Sequence, residues 1–171
     1  MLRRCMAMFL AALLCFPAHS QSLVEWVSKN SHNKLTPSQS RPFVEAAFKY
    51  SLKHGVDPFL ILAVMKKESG FRVKATSSEG AKGPMQVIAF WHKEKIKGRN
   101  LQTLDTGVDV GTMVLAEYLE ENNGNTFKAL RKYSGGSPEY ARSVLGIRSR
   151  ILAETGRDKK ILADLSKTVD N

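Results

Sequence analysis

Cysteine is almost absent: the 171-residue chain has two, Cys5 and Cys15, both near its start. From residue 16 onward there is no thiol, which excludes disulfides, cysteine-ligated metal and a cysteine nucleophile and leaves stability to the core alone. Long apolar runs are equally scarce. The one that exists, Cys5–Phe16, follows Arg3 and Arg4 and precedes Pro17-Ala18-His19-Ser20, an A-x-S cleavage pattern ahead of Gln21. It falls short of the about 20 apolar residues that span a bilayer, so residues 1–20 read as a secretory signal peptide and not as an anchor. Leu14 stands where lipid attachment at Cys15 requires a small residue. The expected location is exported, periplasmic or cell-wall associated.

Acids are also in deficit, 16 against 26 lysines and arginines, a formal charge of +10 that becomes +8 when Arg3 and Arg4 leave with the signal. A basic exported chain meets cell-wall polymers and anionic headgroups. No arginine-rich run or strongly basic amphipathic helix is present, so nucleic acid is not an expected partner and a membrane-surface role has only the charge in its favour. Cleavage after Ser20 leaves 151 residues, enough for one domain with a single core.

Sustained period-two alternation is missing, which predicts a mostly-α fold. Residues 21–40 read as an N-terminal extension with a short helix at Leu23, Val24, Trp26 and Val27, then a loop through Thr36-Pro37-Ser38. The core domain is set at 41–156. Within it Phe43, Ala46, Ala47 and Tyr50 predict a helix with Pro42 in its first turn and Gly55 at its end, and Asp57-Pro58 starts another that Gly70 stops. Arg72–Lys82 predicts a loop or small hairpin-like excursion, and Gly83-Pro84 a new helix bearing Met85, Ile88, Ala89 and His92. A long, central helix is expected from near Asp105 to Asn122, a short one through Phe127, Leu130 and Tyr133, and a last one capped by Ser137-Pro138. Residues 157–171 form a polar tail in which Ile161, Leu162 and Leu165 offer one further turn.

On a helical wheel Glu68 continues the apolar stripe of Leu60, Ile61, Val64 and Met65. Burial and the negative end of the helix dipole both favour its protonated form, which suits a general acid. A surface glutamate paired with Lys66 or Arg72 is the alternative. The glycine-bearing segment from Ser77 to Gly83 then returns the chain so that backbone donors and Gln86 can face that carboxyl across a cleft.

Three motifs carry a resemblance: Glu68-Ser69-Gly70-Phe71, Gly80-Ala81-Lys82-Gly83-Pro84-Met85-Gln86-Val87, and Lys132-Tyr133-Ser134-Gly135-Gly136, with eleven residues between Glu68 and Gly80. Together they resemble the soluble-type lytic transglycosylases, over roughly Asp57 to Leu152. The resemblance implies a single lysozyme-like domain that cleaves the β-1,4 bond between N-acetylmuramic acid and N-acetylglucosamine in peptidoglycan. Glu68 would act as acid and then base, the muramic 6-hydroxyl would close a 1,6-anhydro ring, and no second carboxylate would be needed, unlike most glycosidases. It implies sugar contacts from Ser77 and Gln86, an orienting or backbone-bonding role for Ser69, a cleft-floor role for Met85, and a Tyr133 hydroxyl approaching the catalytic carboxyl. Tyr140 faces the cleft or packs in the core, and Tyr133 also fits a core stripe. Two departures stand out: Ser134 replaces an asparagine, putting a sugar contact in doubt, and Pro84 replaces a leucine, harmless in a first helical turn.

Glu79, the one acid in the loop, reads as a solvated turn residue. His32, His54 and His92 form no metal-ligand pattern, so neither metal nor cofactor is expected. Trp26 and Trp91 are candidates for stacking on sugars, with packing favoured for Trp91 beside Phe90. The expected partners are peptidoglycan glycan strands and a secretion, conjugation or phage machine, the protein itself being a monomer. Competing readings are a lysozyme-like muramidase hydrolysing the same bond and a non-catalytic peptidoglycan-binding assembly protein.

Overall fold

The computed structural model describes residues 19–155, so most of the expected signal segment 1–20 and the tail with Ile161, Leu162 and Leu165 lie outside the described part. Seven α-helices occur there: α1 (His19–Asn30), α2 (Pro37–His54), α3 (Pro58–Ser69), α4 (Lys93–Ile96), α5 (Leu104–Glu121), α6 (Thr126–Tyr133) and α7 (Pro138–Glu154). Between α3 and α4 lie β1 (Ala81–Lys82), β2 (Val87–Ile88) and a 3₁₀ turn at Ala89–His92. The mostly-α expectation holds, and a small hairpin does lie between α3 and α4, though at Ala81–Ile88 and so mostly after the Arg72–Lys82 segment expected to hold it. No described helix is long and apolar enough to cross a membrane.

Local chemistry accounts for the helix ends. Asp57 accepts from the Phe59 amide and Pro58 occupies the first turn of α3, while Gly70, in the left-handed region at φ 59°, closes it. Ser137 caps α7 in the same way. The start of α2 differs from expectation. Thr36 and Gln39 form a reciprocal capping box and Pro37 takes the first turn, so Pro42 lies inside the helix on its exposed side.

α3 is the buried axis of the molecule, in place of the longer α5. Its residues Leu60 to Met65 are all at most 3% exposed, each such large side chain contributing about 1.5–3 kcal/mol. α7 packs along α3, α2 lies between α1 and α5, and α6 bridges α5 to α7. Leu23, Val24, Trp26 and Val27 of α1 belong to the main core with α3. The segment read as an extension therefore shares the hydrophobic centre. A second small cluster of Val87, Ile96, Leu101, Val110 and Val114 supports the hairpin from below.

The segment after β1 corrects the sequence reading. Gly83 to Gln86 is not a helix start but a tight turn in which the Gln86 amide donates to the Gly83 carbonyl at 3.2 Å, joining antiparallel strands paired Ala81↔Ile88 and Lys82↔Val87. Pro84 sits at the second position of that turn, where its fixed φ is favourable. The turn seats against α5 because Gly107 and Gly111 leave room. A Cβ at Gly111 would fall 2.5 Å from the Met85 Cβ, and one at Gly107 would fall 2.4 Å from the Pro84 Cδ.

Candidate active site

Glu68 occupies the last turn of α3, and the chain reverses directly behind it. Gly70 and Phe71 both take positive φ, 59° and 65°. For Phe71 this conformation is strained, and its ring is held by edge-on packing against Phe43 at 5.6 Å and Trp26 at 6.4 Å. Two bonds from the α1–α2 connection brace the same corner: the His32 amide donates to the Gly70 carbonyl at 3.0 Å, and Lys66 Nζ donates to the Asn30 carbonyl. The catalytic candidate is thus fixed by its own helix, by a helix stop and by α1.

Burial raises the Glu68 pKa, and this outweighs the opposing influence of the Tyr140 hydroxyl and of the Lys67 charge. The Tyr140 hydroxyl donates to Glu68 Oε1 at 2.5 Å. Burial, together with the nearby Glu68 charge, pushes the Tyr140 phenol far above its ordinary value, so it remains a donor. The result is a half-buried carboxyl that favours its proton yet keeps a donor ready for the carboxylate.

The predicted site residues divide into those that face this carboxyl and those that build its walls. Tyr140 is the direct partner: its hydroxyl meets Glu68 while its ring packs against the main core, so both readings of it apply. Tyr133 donates to the Met85 carbonyl at 2.8 Å and is not the bonded partner of Glu68. It nonetheless lies close enough for the Glu68 charge to act on it, after burial, in raising its pKa well above normal. Ser69 is 2% exposed and donates to the Pro84 carbonyl at 2.8 Å and the Met65 carbonyl at 3.2 Å. It ties α3 to the hairpin turn and is not a sugar contact. Met85 is fully buried against Gly111, its sulfur accepting from the Thr112 hydroxyl at 3.8 Å, so it lies beneath the cleft and does not line it.

Ser77 accepts from the Ala81 amide at 3.1 Å and shapes the loop before β1. Gln86, held at φ 49°, gives its side-chain nitrogen to the Gly83 and Ala75 carbonyls at 2.9 and 3.2 Å. Its side chain borders an open groove also lined by Ile88, Trp91, Tyr118, Lys132 and Tyr133. Ser134 receives the Ser137 amide at 3.2 Å and donates to the Arg131 carbonyl at 3.0 Å, so the residue in place of asparagine builds the α6–α7 turn. Glu79 is exposed, as a turn residue should be.

Trp91 corrects another expectation: it is 71% exposed and Phe90 is 65% exposed, whereas Trp26 is buried at 5%. A further cluster escaped sequence reasoning altogether. Asp109 of α5 is buried and meets Arg99 Nη1 at 2.6 Å, His54 Nε2 at 2.7 Å and Lys53 Nζ at 2.8 Å. Burial works against its charge, but these three donors hold its pKa down at about 2. Residues ten or more positions apart supply it, so no local pattern announces it. Among the described residues no group of three or more His, Cys, Asp or Glu is placed to hold a metal ion.

The fold that presents this half-buried carboxyl is found in known proteins. The structure of an inactive mutant of the lytic transglycosylase Slt from Pseudomonas aeruginosa superposes with a TM-score of 0.61 at 18% identity, over 68% of this chain and 25% of that one. The fold is therefore shared, while this chain corresponds to about a quarter of that protein's length. Residues 45–145 match the Transglycosylase SLT domain. That span includes Glu68, the hairpin, Tyr133 and Tyr140, and it covers more than half of the sequence: the protein belongs to the Transglycosylase SLT domain family.

Proposed function

We propose that this chain is an exported enzyme that cuts peptidoglycan between N-acetylmuramic acid and N-acetylglucosamine without consuming water. Glu68, whose burial favours its protonated form, gives its proton to the oxygen of the β-1,4 bond as the bond from that oxygen to the muramic C1 breaks. The substrate's own acetamido oxygen supports the positive charge left at C1. The Glu68 carboxylate then removes the proton of the muramic 6-hydroxyl, whose oxygen bonds to C1 and closes the 1,6-anhydro ring. Glu68 ends protonated and the products together equal the substrate in composition. Tyr140 steadies the carboxylate between the two proton transfers.

The observation that carries this reading is the Glu68–Tyr140 pair: one carboxyl, raised in pKa, with a neutral donor at 2.5 Å. Tyr140 and Lys67 are the groups that act on its ionisation, and a hydrolase of the two-carboxylate kind places a second acid in its cleft. Export rests on the Arg3-Arg4 and Cys5–Phe16 signal pattern.

Clearing of purified cell walls by the wild type and by Glu68→Gln tests the chemistry, with a loss of about 10²–10⁴-fold expected. Mass spectrometry of the released glycan should show ends one water lighter than hydrolysed ends. Reducing ends alone would establish the muramidase reading, and equal clearing by the two proteins would remove Glu68 from the mechanism.

A further inference from the structure

The 3₁₀ turn after β2 holds two aromatic rings out in solvent. Phe90 and Trp91 are 65% and 71% exposed, and their rings stand edge to face at 4.7 Å and 88°. Two large rings left in water by a fold with a well-filled core indicate an interaction site. The pair is preorganised, since a short turn carries both rings and Lys93 Nζ lies 5.0 Å over the Phe90 ring. Trp91 also walls the groove that Gln86 and Tyr133 border, and Tyr133 is a neighbour of Glu68. Tyr118 lines the same groove, with Lys132 Nζ 4.9 Å over its ring.

We infer that Trp91, backed by Phe90, is a stacking platform for a pyranose ring of the glycan strand, at a position beyond the two sugars joined at the cleaved bond. The inference rests on the proposed function, because the strand reaches this platform only by continuing from Glu68 along the groove. A pyranose presents an apolar face of C–H bonds and a rim of hydroxyls. The groove offers the complement: an indole face, with His92 and Lys132 at the edges to hydrogen-bond hydroxyls. An anionic bilayer fits less well, since Lys95 and Lys132 are committed to ion pairs with Glu117 and Glu121.

The test uses the full chain as Glu68→Gln, so that binding is read apart from cleavage, titrated with peptide-free glycan oligosaccharides of graded length. Trp91 is one of only two tryptophans and the other, Trp26, is buried. Its emission should shift to the blue with the longer oligosaccharides and stay unchanged with the disaccharide. Calorimetry should show Trp91→Ala weakening the long ligands roughly five- to tenfold while leaving the disaccharide unaffected, with Trp91→Phe in between. Equal affinity of Trp91→Ala for every length overturns the platform. So does a loss at every length, which would place Trp91 at the cleaved bond itself, and so does an emission shift with phosphatidylglycerol vesicles but not with glycans. Cleavage of walls by the wild type with no effect of Trp91→Ala defeats the platform alone. Length-dependent binding without any cleavage by the wild type defeats the proposed reaction alone.

Discussion

At Glu68 opposing influences meet on one carboxyl. Burial favours the proton, whereas the Tyr140 hydroxyl and the Lys67 charge favour its loss. An acid that must be protonated to act loses activity as pH rises through its pKa. Tyr140→Phe removes a donor to the ionised form, so the Glu68 pKa rises and the alkaline limb of the pH–activity profile moves to higher pH. The same change deprives the carboxylate of a charge-assisted bond of about 1.5–3 kcal/mol, and kcat/KM at the optimum should fall roughly tenfold or more. A limb that moves to lower pH would show that Tyr140 serves the protonated acid instead. The choice between Tyr133 and Tyr140 was not legible in the sequence, because it depends on where α6 and α7 meet. Both rings lie near the same carboxyl, and the geometry gives the bond to Tyr140 and leaves Tyr133 to hold the Met85 carbonyl.

Among the elements, the hairpin turn depends on α5. Gly107 and Gly111 lack the side chains that would keep Pro84 and Met85 away from that helix, and Gly83 lets the turn pass the Leu101 carbonyl, which a Cβ would meet at 2.1 Å. Gly111→Ala places a methyl group against a fully buried Met85, and overpacking of this kind costs about 1–3 kcal/mol. Denaturant melts should show that loss, with reduced glycan cleavage as the Ser69–Pro84 tie and Gln86 shift. Gly146→Ala on α7, where the added carbon meets nothing within 4 Å, serves as the contrast and should be neutral or stabilising by about 0.5–1 kcal/mol. Equal melting of the two variants would mean that the turn yields without consequence. The turn also marks the limit of pattern reading. Met85, Ile88, Ala89 and His92 recur at helical spacing, yet their burial reflects a hairpin pressed on α5 and a 3₁₀ turn, a tertiary arrangement with no local signature. Asp57-Pro58 and Gly70, whose effects are confined to their own helix, were read correctly from sequence. The Thr36/Gln39 capping box was equally legible and was masked by Pro42.

For the molecule as a whole, Asp109 is the point where α2, α5 and the connection after α4 are joined electrostatically. Asp109→Asn leaves Lys53, His54 and Arg99 around a neutral amide, and charge-assisted bonds of this type are worth about 1.5–3 kcal/mol. A loss of about 2–3 kcal/mol is expected at neutral pH, moderated because Lys53 and Arg99 can turn to solvent. The sign of its pH dependence follows from a pKa lowered to about 2 in the folded state. The stabilisation is complete above the ordinary carboxylate value of about 4 and disappears as pH falls toward about 2. Thermal melts of wild type and variant should therefore converge over that interval and separate again at neutral pH. A gap independent of pH would assign Asp109 a packing role instead of an ionic one.

The bracing of α3 by α1 bears on how such a unit can be moved between proteins. The matched residues, 45–145, begin inside α2 and leave out Trp26, which packs on Phe71, and the Asn30 and His32 backbone groups that fasten the corner behind Glu68. What is recognised as the family's span is thus smaller than what folds. A graft or fusion joined at residue 45 would transfer the catalytic carboxyl without the clamp that aims it, whereas a junction ahead of His19 carries both.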